Sequence, residues 1–284
     1  MMAPPAARSP ELTFSDADFQ LIARFAAESY GLDIKIEKKG LIYARLARRI
    51  RALGMSDFST YCTFATGRNA GAERDELLSA LTTNVSSFYR ERHHFQMLRE
   101  TVLPDLRRKA EAGSLRIWSA GCSAGQEPYS IAATIMDEWP DAARLNIQIL
   151  ATDIDSRILE KARAAQYRLS ETDGLTPQQI AGLFEPVARG ADTCAVRPAL
   201  RKMITFDRLN LVGDWSYPGR FDIIFCRNVV IYFERATQHQ LWRRFSDSLV
   251  PGGRLFIGHS ERLTGPAATN FQNVGLTAFA KTAA

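Results

Sequence analysis

Near residue 114 the pattern of apolar residues changes period, and this limits the fold more than any other feature of the chain. No strand pattern occurs before it. After it, apolar runs of strand length at 115–119, 147–152, 204–210, 221–227 and 254–258 alternate with helical segments. Such alternation needs both faces of a sheet covered and calls for parallel strands, so this part reads as an α/β domain of the doubly wound kind. Two final runs, 271–274 and 277–281, are separated only by Gly275-Leu276 and read as a hairpin that ends the sheet with an antiparallel strand. Between 167 and 203 the alternation breaks, with Gly174, Pro177, Pro186, Gly190 and Pro198 spread over a stretch too long for one crossover. It reads as a small inserted subdomain.

The first 80 or so residues read as helices alone. Asp16 is placed to cap a helix whose apolar positions Phe19, Leu21, Ile22, Phe25 and Ala26 recur at helical spacing and which stops at Gly31. A second helix, 38–53, puts Ile42, Leu46, Ile50 and Leu53 on one stripe, with Arg45, Arg48 and Arg49 on the opposite side. Shorter helices follow at 57–66 and 71–82, and a long polar helix at 91–112 carries Pro104 as a kink. The expected division is a disordered lead-in at 1–14, a helical domain at 15–82, a linker and helix at 83–113, and the α/β domain at 114–284 with its insertion at 167–203.

Charge and cysteine usage narrow the function classes. Net charge is +5, from 36 basic and 31 acidic residues, too little to demand nucleic acid. Almost all of the surplus is local: residues 35–51 hold seven basic side chains, among them Arg45, Arg48, Arg49 and Arg51, against the single acid Glu37. Cys62, Cys122, Cys194 and Cys226 are far apart, with no C-x-x-C and no histidine at ligand spacing, so neither a disulfide framework nor a metal site is expected and a cytoplasmic setting is. No run approaches the ~20 apolar residues of a membrane span.

In a doubly wound sheet, ligands bind outside the carboxyl ends of the strands, which directs attention to the residues after each run. After the first come Gly121 and Gly125, spaced G-x-x-x-G before a helix. They suit either close approach of a ligand or a tight turn, and match neither a dinucleotide fingerprint nor a phosphate loop. After the second come Asp153 and Asp155; Asp155 is placed as a helix cap and Asp153 as an acceptor for ribose hydroxyls. After the fourth run come Arg227 and Asn228, then an apolar segment ending in Tyr232, while 249–253 reads as a turn into the next strand. His93 and His94 are neighbours on a helix and are expected to point apart, and His239 and His259 are isolated. The lack of a catalytic constellation suits chemistry without a general base, such as methyl transfer from a sulfonium donor to a carboxylate already ionised at pH 7.

Five blocks taken together, Leu81-Thr-Thr-Asn-Val-Ser-Ser-Phe-Tyr-Arg-Glu91, Trp118-Ser-Ala-Gly-Cys-Ser-Ala-Gly-Gln-Glu-Pro-Tyr-Ser130, Ala151-Thr-Asp-Ile-Asp155, Phe225-Cys-Arg-Asn-Val-Val-Ile-Tyr-Phe233 and Gly258-His-Ser-Glu261, resemble the CheR family of chemotaxis receptor methyltransferases. The resemblance runs from about residue 16 to 281 in unbroken order. It implies a helical N-terminal domain followed by a Rossmann-like S-adenosylmethionine-dependent methyltransferase domain, with a seven-stranded, mostly parallel sheet and a small β-subdomain insertion. It also implies protein-glutamate O-methyltransferase activity on chemoreceptors, with S-adenosylhomocysteine as product and no metal. On these positions Asn84, Ser86 and Arg90 would contact the cofactor, Arg90 also reaching the transfer site, although Val85-Ser86 stands where the family more often has threonine. Glu127 would anchor the amino group, Asp153 the ribose, Asn210 and Leu211 the adenine, and Arg227 with Asn228 would close the far side. Tyr232 would sit beside the departing methyl group, and Cys122 is expected to be a small, buried, unreactive thiol.

The same resemblance gives the basic helix a partner. Arg45, Arg48, Arg49 and Arg51 would meet the acidic cytoplasmic methylation helices of a chemoreceptor, against a purely solvated face or an RNA partner. A monomer without direct membrane insertion is implied. The rivals are an NAD-linked oxidoreductase, which needs a G-x-G-x-x-G turn, and a nucleic-acid amino-methyltransferase, which usually carries Asn/Asp-Pro-Pro-Tyr where Arg227-Asn-Val-Val stands. From outside enzymology comes a module that binds cofactor or receptor without transfer.

Overall fold

A computed structural model of the chain describes residues 12–282 except Arg189, Ser216 and Pro218. It divides between Thr83 and Asn84 into two compact units. The expected lead-in lies largely outside the described residues. Its end does not: Leu12 is buried, and Phe14 stacks on Phe58 with centroids 4.4 Å apart, so the helical core begins before residue 15.

The first unit consists of α1 (Asp16–Tyr30), α2 (Lys39–Ala52), α3 (Phe58–Thr66) and α4 (Glu73–Leu81). Ser15, not Asp16, caps α1: its hydroxyl accepts from Asp18 N at 3.1 Å while the Asp18 carboxylate accepts from Ser15 N at 3.0 Å. Gly31, at φ 70°, ends the helix. Phe19, Ile22, Ile42, Leu46, Ile50, Phe58, Tyr61 and Leu77 form the core.

The four arginines of α2 do not form one face. Arg45 donates to the carbonyls of Ala80 and Thr82 at 2.8 and 2.6 Å, tying down the end of α4. Arg49 forks onto Glu73 through Nε at 3.0 Å and Nη2 at 2.6 Å, and this buried carboxylate also accepts from Tyr61 OH at 2.9 Å. Arg48 and Arg51 are exposed. The expectation of one basic outer face is corrected accordingly.

The second unit opens with α5 (Arg92–Met97), a π-helical stretch (Leu98–Val102) and α6 (Leu103–Ala112). The π stretch ends just before Pro104, whose missing N–H and bulky ring disturb the regular ladder. Leu98, Val102 and Leu103 are fully buried in this unit's core, so residues 84–113 belong to it and do not form a separate linker.

The strands are β1 (Ser114–Ala120), β2 (Asn146–Asp153), β3 (Gln166–Arg168), β4 (Thr193–Ala195), β5 (Ile204–Arg208), β6 (Phe221–Cys226), β7 (Leu249–Ile257), β8 (Phe271–Gly275) and β9 (Ala278–Lys281). Seven of them form one sheet in the order β5-β2-β1-β6-β7-β9-β8. From β5 to β7 the pairing is parallel. The order reverses between β1 and β6, which marks the crevice where a ligand binds in this topology. β9 runs antiparallel between β7 and β8, so the reversed strand is next to the edge and not at it. Residues 249–253, expected as a turn, are part of β7, with Gly252 at the φ of 74° that a turn requires and a shift of register against β6 across this stretch. After β1 comes α7 (Gln126–Glu138), and after β2 comes α8 (Ser156–Ala164). The insertion holds α9 (Pro177–Leu183) and the three-residue antiparallel pair β3–β4, extended by a bridge between Phe184 and Val196. It is less of a β-subdomain than expected.

Candidate active site

The turn after β1 is shaped by close packing. Gly121 and Gly125 have φ of 85° and 93°, a region where a side chain is strained. A Cβ on Gly121 would lie 2.3 Å from a Val229 methyl, and one on Gly125 would lie 2.9 Å from Tyr167 Oη. Neighbouring side chains therefore require glycine at both positions. Cys122 is buried, and burial raises its thiol well above the ordinary range.

The turn nevertheless builds one half of a site. Ser123, at φ 50°, donates its N–H to Asp153 Oδ2 at 2.8 Å and its hydroxyl to the Asn84 carbonyl at 3.1 Å. Asp155 caps α8, accepting from the N–H groups of Arg157 and Ile158 at 3.0 and 3.4 Å, and takes the Asn84 amide at 2.7 Å. Its own N–H goes to Asp153 Oδ1 at 3.1 Å. Asp153 remains partly open to solvent, and burial pushes its carboxyl up to about 6 against the pull of these N–H donors.

The other half gathers at the ends of β1, β6 and β7. Glu127, on the first turn of α7, accepts from Ser119 Oγ at 2.6 Å and from Arg227 Nη1 at 3.1 Å; burial raises its carboxyl while Arg227 and Ser119 oppose the rise. Arg227, itself buried, also donates to the Arg90 carbonyl and lies 3.4 Å from Glu91. It is an internal hub joining three chain segments. Burial disfavours ionisation of Glu91, and the His259 hydrogen bond and Arg227 charge overcome it, holding the carboxyl at about 2. Tyr89 and Glu91 flank Arg90 with φ of 52° and 56°, so the turn carrying Arg90 is strained. Arg90 itself is half-exposed, with Nη1 on the Val85 carbonyl at 3.0 Å.

Glu261 fixes the loop after β6. Only 3% exposed, its carboxylate accepts N–H bonds from Asn228, Val229, Val230 and Ile231 at 2.7–3.4 Å and from Gly258 at 2.5 Å. Burial raises it, and those backbone donors oppose the rise. Asn228 adopts φ 59° with its side chain over Gly258, where a Cβ would come within 2.5 Å of the amide nitrogen. The same loop presents Tyr232, half-exposed, at the end of a 3₁₀ turn (Val230–Tyr232).

Of the other expected positions, Ser86 is half-exposed, and Leu211 is buried beyond β5. Asn210 turns its Oδ1 to Val212 N at 3.1 Å, and the preceding Leu209 N–H reaches the Asp153 carbonyl at 2.9 Å, so this segment is tied to the β2 end. The histidines differ from expectation. The rings of His93 and His94 lie 4.1 Å apart, His259 Nδ1 is 2.9 Å from Glu91, and His94 is wholly buried, with burial lowering its imidazole to about 3. Ser119, Ser123, Glu91, His259 and Glu261 were not singled out for site roles. Glu261 follows a parallel strand, the same signal that marked Asp153, and Glu91 adjoins Arg90.

The family model described as the CheR methyltransferase all-alpha domain matches residues 17–82, and that described as the CheR methyltransferase SAM binding domain matches residues 84–280. A probable chemotaxis protein methyltransferase of Rhizobium etli is 45% identical over 251 residues, covering 88% of this chain and 94% of its own. The chemotaxis protein methyltransferase of Salmonella typhimurium is 41% identical over 258 residues, 89% of this chain and 86% of its own. That of Escherichia coli is 39% identical over 258 residues, 89% of this chain and 87% of its own.

Proposed function

Because the chain belongs to the CheR methyltransferase family, we propose that it transfers the methyl group of S-adenosylmethionine to glutamate side chains on the cytoplasmic methylation helices of chemoreceptors. The products are S-adenosylhomocysteine and a glutamyl methyl ester. The observation that carries the reading is the partly open carboxylate of Asp153 at the end of β2, beside the point of strand reversal, in a chain whose two halves match the two family models in order.

The residues present fit such a cofactor. A carboxylate has about four lone-pair sites. Asp153 gives some of these to Ser123 N and Asp155 N, and its open side keeps acceptor capacity for ribose hydroxyls. Glu127, engaged by Ser119 and Arg227, keeps acceptor capacity for an ammonium group. When bound, the cofactor supplies a methyl group on a positively charged sulfur.

The remaining work falls to the chain. Arg90 orients the incoming carboxylate in line with the methyl–sulfur bond, with the Val85 carbonyl fixing one of its donors. Too tight a pair would stabilise the ground state as much as the transition state, so its partial exposure is suited to the task. Tyr232 packs beside the methyl position. One C–O bond forms as one C–S bond breaks, and no proton moves, because a glutamate of ordinary pKa about 4.3 is already ionised. Opposite charges neutralise each other during transfer, so excluding water favours it.

Among the described residues no helix is long and apolar enough to cross a membrane. The exposed Arg48 and Arg51 are the side chains of α2 offered to an acidic receptor helix. The test uses cofactor labelled with tritium on the methyl group. Base-labile label on receptor fragments, lost with Arg90→Ala, is the expected result. Cofactor binding without transfer would point to a binding module, and base-stable label to a nitrogen acceptor; either would overturn the reading.

A further inference from the structure

Three side-chain atoms at the start of α5 are buried and meet no hydrogen-bond partner: Glu91 Oε2, His93 Nε2 and His94 Nδ1. Their residues offer ligand atoms that all lie within 4.8 Å of one another. Glu91 Oε2 has the Arg227 charge at 3.4 Å, but two imidazole nitrogens buried and unmatched in one place are unfavourable and call for an occupant. The cluster is not used by the methyl transfer described above.

The geometry around His94 narrows the choice. Its Nε2 lies 2.9 Å from the Thr277 hydroxyl, which can donate or accept, and 3.2 Å from the Leu276 carbonyl, which can only accept; a proton on Nε2 serves both and leaves Nδ1 a lone pair for a ligand. That lone pair faces Glu91 Oε2 at 3.5 Å. A water donating to both acceptors at ordinary hydrogen-bond lengths would hold them roughly 4.5 Å apart. Two ligands of a tetrahedral ion bound at about 2.0–2.1 Å lie roughly 3.4 Å apart. The 3.5 Å between His94 Nδ1 and Glu91 Oε2 matches the second arrangement, and the His93 ligand atom joins them within 4.8 Å.

We propose that Glu91, His93 and His94 bind a divalent transition metal of the zinc class, with the fourth position open to water. Two imidazoles and a carboxylate are the donor set such an ion takes. The outer shell is also in place: the Leu276 carbonyl and the Thr277 hydroxyl hold Nε2 of His94, and His259 at 2.9 Å and Arg227 at 3.4 Å steady the Glu91 carboxylate. The Arg227 charge, which also opposes a positive charge at His94, lowers the affinity for a cation.

The test is a titration of the full chain, cleared of metal by a chelator, with Co²⁺ and then Zn²⁺. The expected result is a one-to-one complex with the visible absorption of tetrahedral cobalt, displaced by zinc. Since losing an outer-shell partner already costs roughly 10–100-fold, His93→Ala and Glu91→Gln should each weaken binding by about 100-fold or more, with folding checked by circular dichroism. His93 is half-buried, so its variant is the safer of the two. X-ray absorption on the zinc-loaded wild type should show imidazole nitrogen and oxygen without sulfur, whatever the variants do. Absence of stoichiometric binding would mean that His94 and Glu91 share a proton instead. That outcome, an affinity unchanged in both variants, or a sulfur shell would overturn the proposal.

Discussion

The ends of β2 and β7 each bring a carboxylate to the same edge of the sheet, and the two are satisfied in opposite ways. Glu261 takes N–H bonds from Asn228, Val229, Val230, Ile231 and Gly258, all from its own chain, and is shut away from solvent. Asp153 takes N–H bonds from Ser123 and Asp155 and stays partly open. With about four lone-pair sites per carboxylate, the first has no capacity left and the second keeps some on its open side. Position after a strand therefore does not identify a ligand group by itself; unfilled acceptor capacity does. The helical unit repeats the contrast with positive charge, where Arg45 and Arg49 are committed to Ala80, Thr82 and Glu73 while Arg48 and Arg51 are not buried.

The largest effect expected is on stability. Glu261→Ala leaves the N–H groups of the 228–231 loop without their acceptor, and losing the partner of such a buried network costs roughly 3–5 kcal/mol. Denaturant unfolding should show that loss, and a cost below about 1 kcal/mol would remove the distinction between the two carboxylates.

Asp153→Ala should cost less stability, since it removes the acceptor of the Ser123 and Asp155 N–H groups only, and should weaken the cofactor. Two hydrogen bonds to a charged acceptor are worth about 3 kcal/mol, or roughly 100-fold in affinity. Calorimetry with S-adenosylhomocysteine reads this directly. Equal affinity in the folded variant would take Asp153 out of the site.

The smallest effect belongs to the exposed charges of α2. Arg48→Ala with Arg51→Ala should slow receptor methylation a few-fold at low salt and leave cofactor affinity intact, the difference fading as salt screens charges beyond ~8 Å. Arg49→Ala is no substitute, since it removes the guanidinium paired with a buried Glu73 and should lower the helical unit's stability. A double variant as fast as wild type would leave the helix without a docking role.

Much of this was legible in the sequence, for local reasons. The change from helical to alternating periodicity located the sheet, and Asp153 and Asp155 followed from their place after β2, with Asp155 the cap as expected. What was not legible depends on partners distant in sequence. Nothing near Arg49 announces Glu73 or Tyr61, so a committed arginine looked like a docking charge, and nothing near Gly121 announces the Val229 side chain that requires glycine there. Pairing order misled in the same way: the 271–281 hairpin was found, but the chain gives no local sign that its second strand inserts beside β7.

The distinction between open and committed carboxylates is tested most directly by pH. Burial lifts Asp153 from the ordinary 3.8 to about 6 in the free protein, and only the ionised form accepts both ribose hydroxyls. Affinity for S-adenosylhomocysteine, measured by calorimetry, should therefore be full above about pH 6 and fall as pH drops through that value, approaching tenfold per unit below it. In Asp153→Asn it should be weak and free of that step. Wild-type affinity that stays level from about pH 7 to pH 5, or a variant that keeps the step, would contradict the assignment of Asp153 as the open carboxylate that holds the cofactor.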